Sequence, residues 1–588
     1  MLRMIRCAAV LMTIAIGGPA MSQDGYGYDR PAGAIHGSRS PIVAANGIVC
    51  TSQPLATQVG LDILKAGGNA IDAAIAADAT LGVVEPMNCG IGGDLFAIVW
   101  DAKTKKLYGL NASGRSPYGM SAELLKQRGL NSIPDRGPLA WSVPGCVDGW
   151  DQLLKRFGTK SLGDVLAPAI RYAEHGFPVS EIISADWVED EAMIKERPSM
   201  AATYLVNGHA PRHGEMFRNP AIAATYHLLA EGGRDAFYRG EIARRIVAYS
   251  EKVGGLFTMR DLEDHSSTWV DPASTTYRGY TVWEIPPNGQ GIAVLEILNV
   301  LEGFDLKSLG HNSADYLHLL IEAKKLAFAD RARFYADPAM AKVPIKQLIS
   351  KAYGEKQRAR IDMNRAASAL KPGDPYAVGG GDTIYLTVVD KDRNCVSLIQ
   401  SIFAGWGSGE VPGNMGFALQ NRGRSFSLDP AHPNFVQPHK RPFHTIIPGF
   451  VTIGGAGAAP EAGAAAATDI KPFLSFGVMG GDQQPQGQVQ VLCNLIDFGM
   501  NVQEAGDAAR FSHSGSASPT GDVMVGSGSV ALESGIGAAV RRALMAKGHS
   551  IIGDIGGFGG YQGILVDPAT GSLFGGTEAR KDGCAAGY

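Results

Sequence analysis

Thr383 follows three glycines and an aspartate in "GGGDTIYLTVVDKDRN" and opens a run rich in β-forming residues. A Thr hydroxyl is a poor nucleophile at neutral pH unless a base stands beside it, and no histidine follows closely enough to be the obvious one. One solution is the residue's own α-amine, with a pKa of about 8, freed when the preceding peptide bond is cut. "GGGD" then reads as a flexible scissile segment ending at Asp382. The competing reading makes Thr383 a plain β-former after a glycine loop. Two other stretches bear on the choice. "TIYLTVVD" and "CVSLIQSI" flank a turn at residues 390–394. A turn centred on Asp392 sets Thr383 opposite Ser401, within one or two residues of register. Cross-strand neighbours lie about 5 Å apart, close enough for the two hydroxyls to hydrogen-bond. In "VMGGDQQPQGQVQ", Gly480 and Gly481 stand between a strand and a helix N-terminus, where unhindered N–H groups can converge on a developing oxyanion.

Other chemistries lack their signatures. There is no GxxxxGK[ST], no GxGxxG opening a strand-helix unit, no HExxH and no GxSxG. The nearest histidine pair, His209 and His213 in "NGHAPRHGE", sits in a turn-like stretch and reads as solvent-facing.

The elements that must hold these residues follow from periodicity. "LATQVGLDILKAGGNAIDAAIAADATLGVVEP" predicts two packed helices broken at Gly67 and Gly68, the second so rich in alanine that it must belong to a buried layer. "LFAIVWDAKTKKLYGLNAS" alternates like a hairpin turning at residues 103–106. Between about residues 161 and 371, three- and four-residue spacings predict helices, among them "SADYLHLLIEAKKLAFADRARFYADP". Their Lys and Arg are expected to form a solvated face. After Asp382 the pattern becomes strand-turn-strand, then strand, glycine turn and a helix with Pro485 near its first turn. The hairpin "YQGILVDPATGSLFGG" closes the chain, and "GGAGAAPEAGAAAATD" reads as a low-complexity surface insertion.

With 588 residues, 45% hydrophobic and 19% charged, the composition is that of a globular enzyme. A net charge of -4 without long like-charge runs argues against nucleic acid or an anionic membrane as partner and leaves a small molecule. Two arginines, an apolar stretch from Cys7 to Ile16 and a small-residue site near Ser22 form a secretory signal pattern. An apolar core of about ten residues is too short to cross a bilayer, which needs about twenty. The expectation is export to a bacterial periplasm, a signal peptide over residues 1–22 and a mobile leader over 23–40. The six remaining cysteines show no CxxC spacing and read as buried thiols.

Taken together these residues resemble the gamma-glutamyltransferase (glutathione hydrolase) family of N-terminal nucleophile hydrolases. The resemblance runs from about Pro41 to Tyr588, through "GGNAIDAAIAADATLGVVEPMNCGIGGDLF", "GPLAWSVPGCVDGW", "GDTIYLTVVDKDRNCVSL", "FGVMGGDQQPQ" and "RKDGCAAGY". It implies an α+β fold, a four-layer αββα sandwich, made as one proenzyme that cuts itself between Asp382 and Thr383. Residues 41–382 would form a large subunit and residues 383–588 a small one, associated as a heterodimer. By resemblance Thr383 is the nucleophile, Ser401 its hydroxyl partner, Gly480 and Gly481 the oxyanion hole, and Arg115 the grip on a substrate α-carboxylate. No metal and no organic cofactor is implied.

Five positions depart from the family pattern. Phe403 stands where typical members carry Asn. Arg422 replaces an uncharged or acidic residue, and Ser425 replaces the Asp that holds the substrate α-ammonium. His444 and Thr445 replace a serine pair. Losing an Asp and gaining an Arg shifts the pocket by about two charges toward anion binding. The segment 428–440 also looks short for the lid of several transferases. This pattern resembles that of the branch with cephalosporin-acylase-like members. The leading expectation is a γ-glutamyl amide hydrolase or transferase. Its alternatives are an acylase for glutaryl-type amides and, from another class, an uncleaved periplasmic binding protein.

Overall fold

The computed structural model describes residues 38–368, 370, 382–454, 470–521, 523–524, 526–553 and 556–588. The expected signal peptide, the leader to residue 37, the three glycines before Asp382 and residues 455–469 of the low-complexity stretch lie outside the described residues.

Two seven-stranded antiparallel sheets stack face to face. The first runs Cys584–Gly587, Ile48–Thr51, Asp382–Val389, Cys395–Phe403, Asp94–Asp101, Lys106–Ala112 and Thr268–Val270. The second runs Ile42–Ala44, Leu573–Thr577, Gly560–Val566, Lys471–Met479, Gly449–Ile453, Tyr280–Glu284 and Ala273–Tyr277. Strands from both sides of Thr383 interleave in each sheet, so neither half of the chain makes a sheet alone. Phe96, Ile98, Tyr385, Ile399, Phe450 and Ile564 are among the apolar side chains that fill the space between the sheets. Polar links also cross it: Thr387 Oγ1 to Ser475 Oγ at 2.7 Å, and the Ser397 hydroxyl donating to the Gly449 carbonyl at 3.0 Å.

Helices cover both outer faces, which completes the αββα sandwich. Over the first sheet lie Pro54–Lys65 and Ala70–Val84, broken at the predicted glycines. Asn69 caps the second of these, its side chain accepting from the Ile71 and Asp72 N–H groups. Every residue of Ala70–Val84 is buried except Gly82, because small side chains let neighbouring backbone approach on all sides. Over the second sheet lie Ile292–Leu301, Ala314–Phe334 and Gln483–Ile496.

One expectation is overturned here. Lys324, Lys325 and Arg331 of Ala314–Phe334 do not form a solvated face; all three are buried. A small sheet of Phe511–Ser514, Ser529–Leu532 and Ser550–Ile552, together with residues 366–367, covers the helix on its far side. Each side chain has acceptors, in this layer or on the turn before helix Gln483–Ile496. Lys324 Nζ donates to the His513 carbonyl at 3.0 Å and Ser516 Oγ at 2.9 Å, Lys325 Nζ donates to the Ala367 carbonyl at 2.8 Å, and Arg331 clasps Asp482. Apolar periodicity identifies the helix but cannot reveal a third layer packed over it.

Candidate active site

The hairpin turns where the sequence places it, with pairs from Ile384↔Gln400 to Val389↔Cys395. At its open end the register shifts, Asp382 pairs with Phe403, and Thr383 falls at the irregularity, across from Ser401 and Ile402. The bond proposed for cleavage therefore lies inside a sheet. Ser401 pairs on its other side with Asp94. Gly93, just before Asp94, passes so close to the Ser401 carbonyl that a Cβ there would sit 2.2 Å from it, which explains a glycine at this point.

Thr383 is buried, and its Oγ1 accepts a hydrogen bond from Gln484 Nε2 at 3.3 Å. Gln484 is held in turn: its Oε1 accepts from the Ile447 N–H at 3.0 Å, and its own N–H donates to the Gly481 carbonyl. Gly480 and Gly481 follow the strand Lys471–Met479 with φ of 115° and 54°, left-handed conformations that L side chains adopt at a cost. The turn delivers the chain into helix Gln483–Ile496. Gln290 Nε2 donates both to the Gly481 carbonyl at 2.9 Å and to the Thr445 carbonyl at 2.7 Å. Arg422 donates to Thr445 Oγ1 at 2.8 Å and to Ser401 Oγ at 3.3 Å. A chain of contacts thus runs from Thr383 through Gln484, the glycine turn, Gln290, Thr445 and Arg422 to Ser401, which faces Thr383 across the hairpin.

Arg422 is fully buried, reaching the site from behind rather than from the cleft. Its guanidinium lies 4.0 Å from the centre of the Phe403 ring. Phe403 holds φ at 82°, a strained conformation for a bulky residue and one that recurs at functional sites. Burial pushes the Arg422 pKa down to about 9; the Asp94 carboxylate opposes this and Arg424 adds to it. His444 sits on Asp94, Nε2 to Oδ2 at 3.1 Å, and accepts from the Ile446 N–H at Nδ1. Burial first, then Arg422, pushes it down to about 4 against the Asp94 bond, so it is neutral at pH 7.

A cleft of about 470 Å³ opens beside this ring of contacts, lined by Phe403, Ser425 and Thr445 together with Asp135, Arg424 and Asp429. The Ser425 hydroxyl is buried and has no hydrogen-bond partner among the described residues. Arg424 pairs with Asp135 at 3.0 Å. Part of segment 428–440 packs against the cleft wall, with Phe426 and Val436 in a small apolar cluster. Arg115 does not line this cleft; its guanidinium donates to the Ser266 carbonyl at 3.3 Å, an acceptor it shares with Arg441.

Sequence reasoning missed Gln484, Gln290, Asp94 and the Arg331–Asp482 pair. Arg331 Nη1 and Nη2 lie 2.6 and 3.0 Å from the two Asp482 oxygens, and Nη1 also reaches Gln290 Oε1 at 2.5 Å. Asp482 directly follows the two glycines and Gln484 stands two residues further on, so both lie in the stretch already singled out for an oxyanion hole, and Asp482, as a charge beside the glycines, was the signal available there.

Among the described residues no helix is long and apolar enough to cross a membrane, and the six cysteines of the described residues are free thiols. The gamma-glutamyltranspeptidase family model matches residues 56–588. A glutathione hydrolase-like YwrD proenzyme of Bacillus subtilis is 36% identical over 93% of this chain and 99% of its own. An acylase ACY 1 proenzyme of a Pseudomonas species (strain SE83) is 35% identical over 93% of this chain and 94% of its own. The crystal structure of cephalosporin acylase from Bacillus halodurans superposes with a TM-score of 0.84 at 42% identity, covering 96% of this chain and 99% of that one.

Proposed function

Because this chain belongs to the gamma-glutamyltranspeptidase family of N-terminal nucleophile amidohydrolases, we propose that it cuts itself between Asp382 and Thr383 and hydrolyses amides through an acyl-Thr383 ester. The observation that carries this reading is the chain of contacts that ties Thr383 Oγ1 to the Gly480-Gly481 turn and, through Gln290, Thr445 and Arg422, to Ser401.

In the proposed cycle the freed α-amine of Thr383 takes the hydroxyl proton as Oγ1 attacks the substrate carbonyl. The Gly480 and Gly481 N–H groups hold the oxyanion, and the protonated amine hands its proton to the departing amine. Water, activated by the same amine, then cleaves the ester. Gln484 aims Oγ1, and Ser401, held by Arg422 and by the Phe403 N–H at 2.8 Å, orders the nucleophile end of the hairpin. No step needs a metal or an organic cofactor. The product is a heterodimer whose halves share both sheets.

The substrate class proposed is an amide whose acyl part carries a distal carboxylate, γ-glutamyl amides first. A second reading, glutaryl-type amides, is favoured by Arg422 and Ser425. A buried cation stands beside the site, while the position available to balance an α-ammonium carries a hydroxyl without a partner among the described residues. Rates on γ-glutamyl and glutaryl anilides test the pair. The double variant Arg422→Gln/Ser425→Asp should move preference toward the γ-glutamyl anilide by about tenfold or more, the effect of one charge-assisted contact. An unchanged ratio would remove Arg422 and Ser425 from substrate choice. Failure of the wild-type protein on both anilides would defeat the carboxylated-acyl reading.

A further inference from the structure

His318 and Glu322, one turn apart on helix Ala314–Phe334, meet His549, which lies between helix Ala538–Ala546 and strand Ser550–Ile552. One ligand atom from each, two ring nitrogens and a carboxylate oxygen, lie within 4.8 Å of one another, and all three side chains are buried. Nothing in the amidohydrolase chemistry uses them. We propose that these three residues form a zinc site that fastens the part of the chain before Thr383 to the part after it.

The hydrogen bonds around the cluster suit that role. His318 Nε2–H donates to the Asp362 carbonyl at 2.8 Å, which fixes the tautomer and leaves the Nδ1 lone pair facing His549. Metal-bound histidines characteristically use their second nitrogen in this way. His318 Nδ1 and His549 Nε2 are 2.7 Å apart, so His549 Nε2–H donates to His318 in the metal-free protein. The other nitrogen of His549, Nδ1, is buried without a partner among the described residues. An unpaired buried polar atom is costly in a purely structural pair and is the place a proton would go when a metal takes Nε2. Zinc binding moves the His549 proton from Nε2 to Nδ1, and the two nitrogens part to about 3.3 Å, the spacing of two Zn–N bonds of about 2.0–2.1 Å at a tetrahedral angle.

Glu322 brings a carboxylate already supported from outside. Lys325 Nζ lies 2.5 Å from its Oε1, and the Ala367 N–H donates to Oε2 at 3.2 Å. Lys325 also donates to the Ala367 carbonyl, so it can stay in place as a donor to a ligating carboxylate. Two imidazoles and one carboxylate, with water in the fourth position, is a donor set that suits zinc better than calcium or magnesium. The cluster lies close to the surface: Asp362, whose carbonyl His318 holds, and Gly548, next to His549, are both exposed.

The test uses tag-free, full-length protein stripped with a chelator and titrated with Zn²⁺ against a chromophoric competitor, then with Co²⁺ to read the ligand-field spectrum. The wild-type protein should take a single equivalent, give the spectrum of a tetrahedral site and melt at a higher temperature with zinc. His318→Ala and His549→Ala should each weaken binding by at least about tenfold, while His213→Ala, on an exposed turn, should leave it unchanged. If an alanine variant fails to fold, His549→Gln, which keeps a polar side chain of similar size, decides by the same titration. No stoichiometric binding by the wild-type protein, or binding that survives His549→Ala or His549→Gln, overturns the site. These readouts are independent of whether the chain is cut at Thr383.

Discussion

Helix Ala70–Val84 covers the first sheet and helix Ala314–Phe334 the second, and both are buried on nearly every side by different means. The first does it mostly with small residues; Asp72, in its first turn, accepts from Thr159 and Lys160, and Asp78, in its interior, is a buried carboxyl with one hydrogen-bond partner among the described residues, Trp150 Nε1 at 2.7 Å. The second buries Glu322, Lys324, Lys325, Asp330 and Arg331, each with polar partners on other elements or on its own next turn. Smallness allows close approach but specifies no particular neighbour. Partnered charges specify neighbours, and one pair, Arg331–Asp482, fixes the residue that follows the two glycines. The second helix should therefore govern the active site, and the first should govern stability alone.

The sharpest way to break this contrast is Arg331→Leu. It leaves Asp482 without its cation, and because Asp482 is 29% exposed while Arg331 is buried, stability should fall by about 3 kcal/mol, the low end of the scale for breaking a buried pair. Turnover should fall as well, because the glycine turn loses its anchor. Chemical denaturation and anilide kinetics read the two effects; lost stability with unchanged turnover per folded molecule would contradict the coupling.

Comparable in size is a pH effect confined to the first helix. Burial pushes the Asp78 carboxyl up to about 7, against the Trp150 hydrogen bond. The unfolded chain releases that proton near about pH 4, so the folded state holds it longer. The stabilisation is complete below about pH 4 and is lost as pH rises to 7, on the order of 3 kcal/mol in all. Asp78→Asn should flatten this slope without altering anilide turnover, and parallel stability profiles for the two proteins would refute it.

Ala76→Leu tests close approach directly. Overpacking this fully buried position should cost about 2 kcal/mol and leave kcat unchanged. A kcat loss as large as that of Arg331→Leu would erase the distinction between the helices. The smallest effect is Asn69→Ala, which removes the N-terminal cap for about 1 kcal/mol, read as a shift in denaturation midpoint.

The same contrast separates what the sequence discloses from what it hides. Ala70–Val84 and its break at Gly67-Gly68 are legible because composition and turn chemistry agree. The Thr383–Ser401 juxtaposition is legible because alternation and a turn centred on Asp392 set the register. Gln484 and Gln290 carry no charge and no periodic signal, so their hydrogen bonds emerge only when strands and helices from distant parts of the chain are brought together. Lys324, Lys325 and Arg331 mislead because a charged helix face normally faces water, and here a small sheet covers it. Arg422 is legible as a charge beside the site, but its approach from behind Phe403 depends on the left-handed bend at that residue.

The central claim is that Thr383 becomes a chain terminus and works from there. The direct test is the intact mass of the purified protein under denaturing conditions, with N-terminal sequencing of each piece. The account predicts two chains, one beginning at Thr383, and a single unbroken chain for Thr383→Ala. A wild-type protein that stays whole while hydrolysing anilides, or one cut elsewhere, would contradict it.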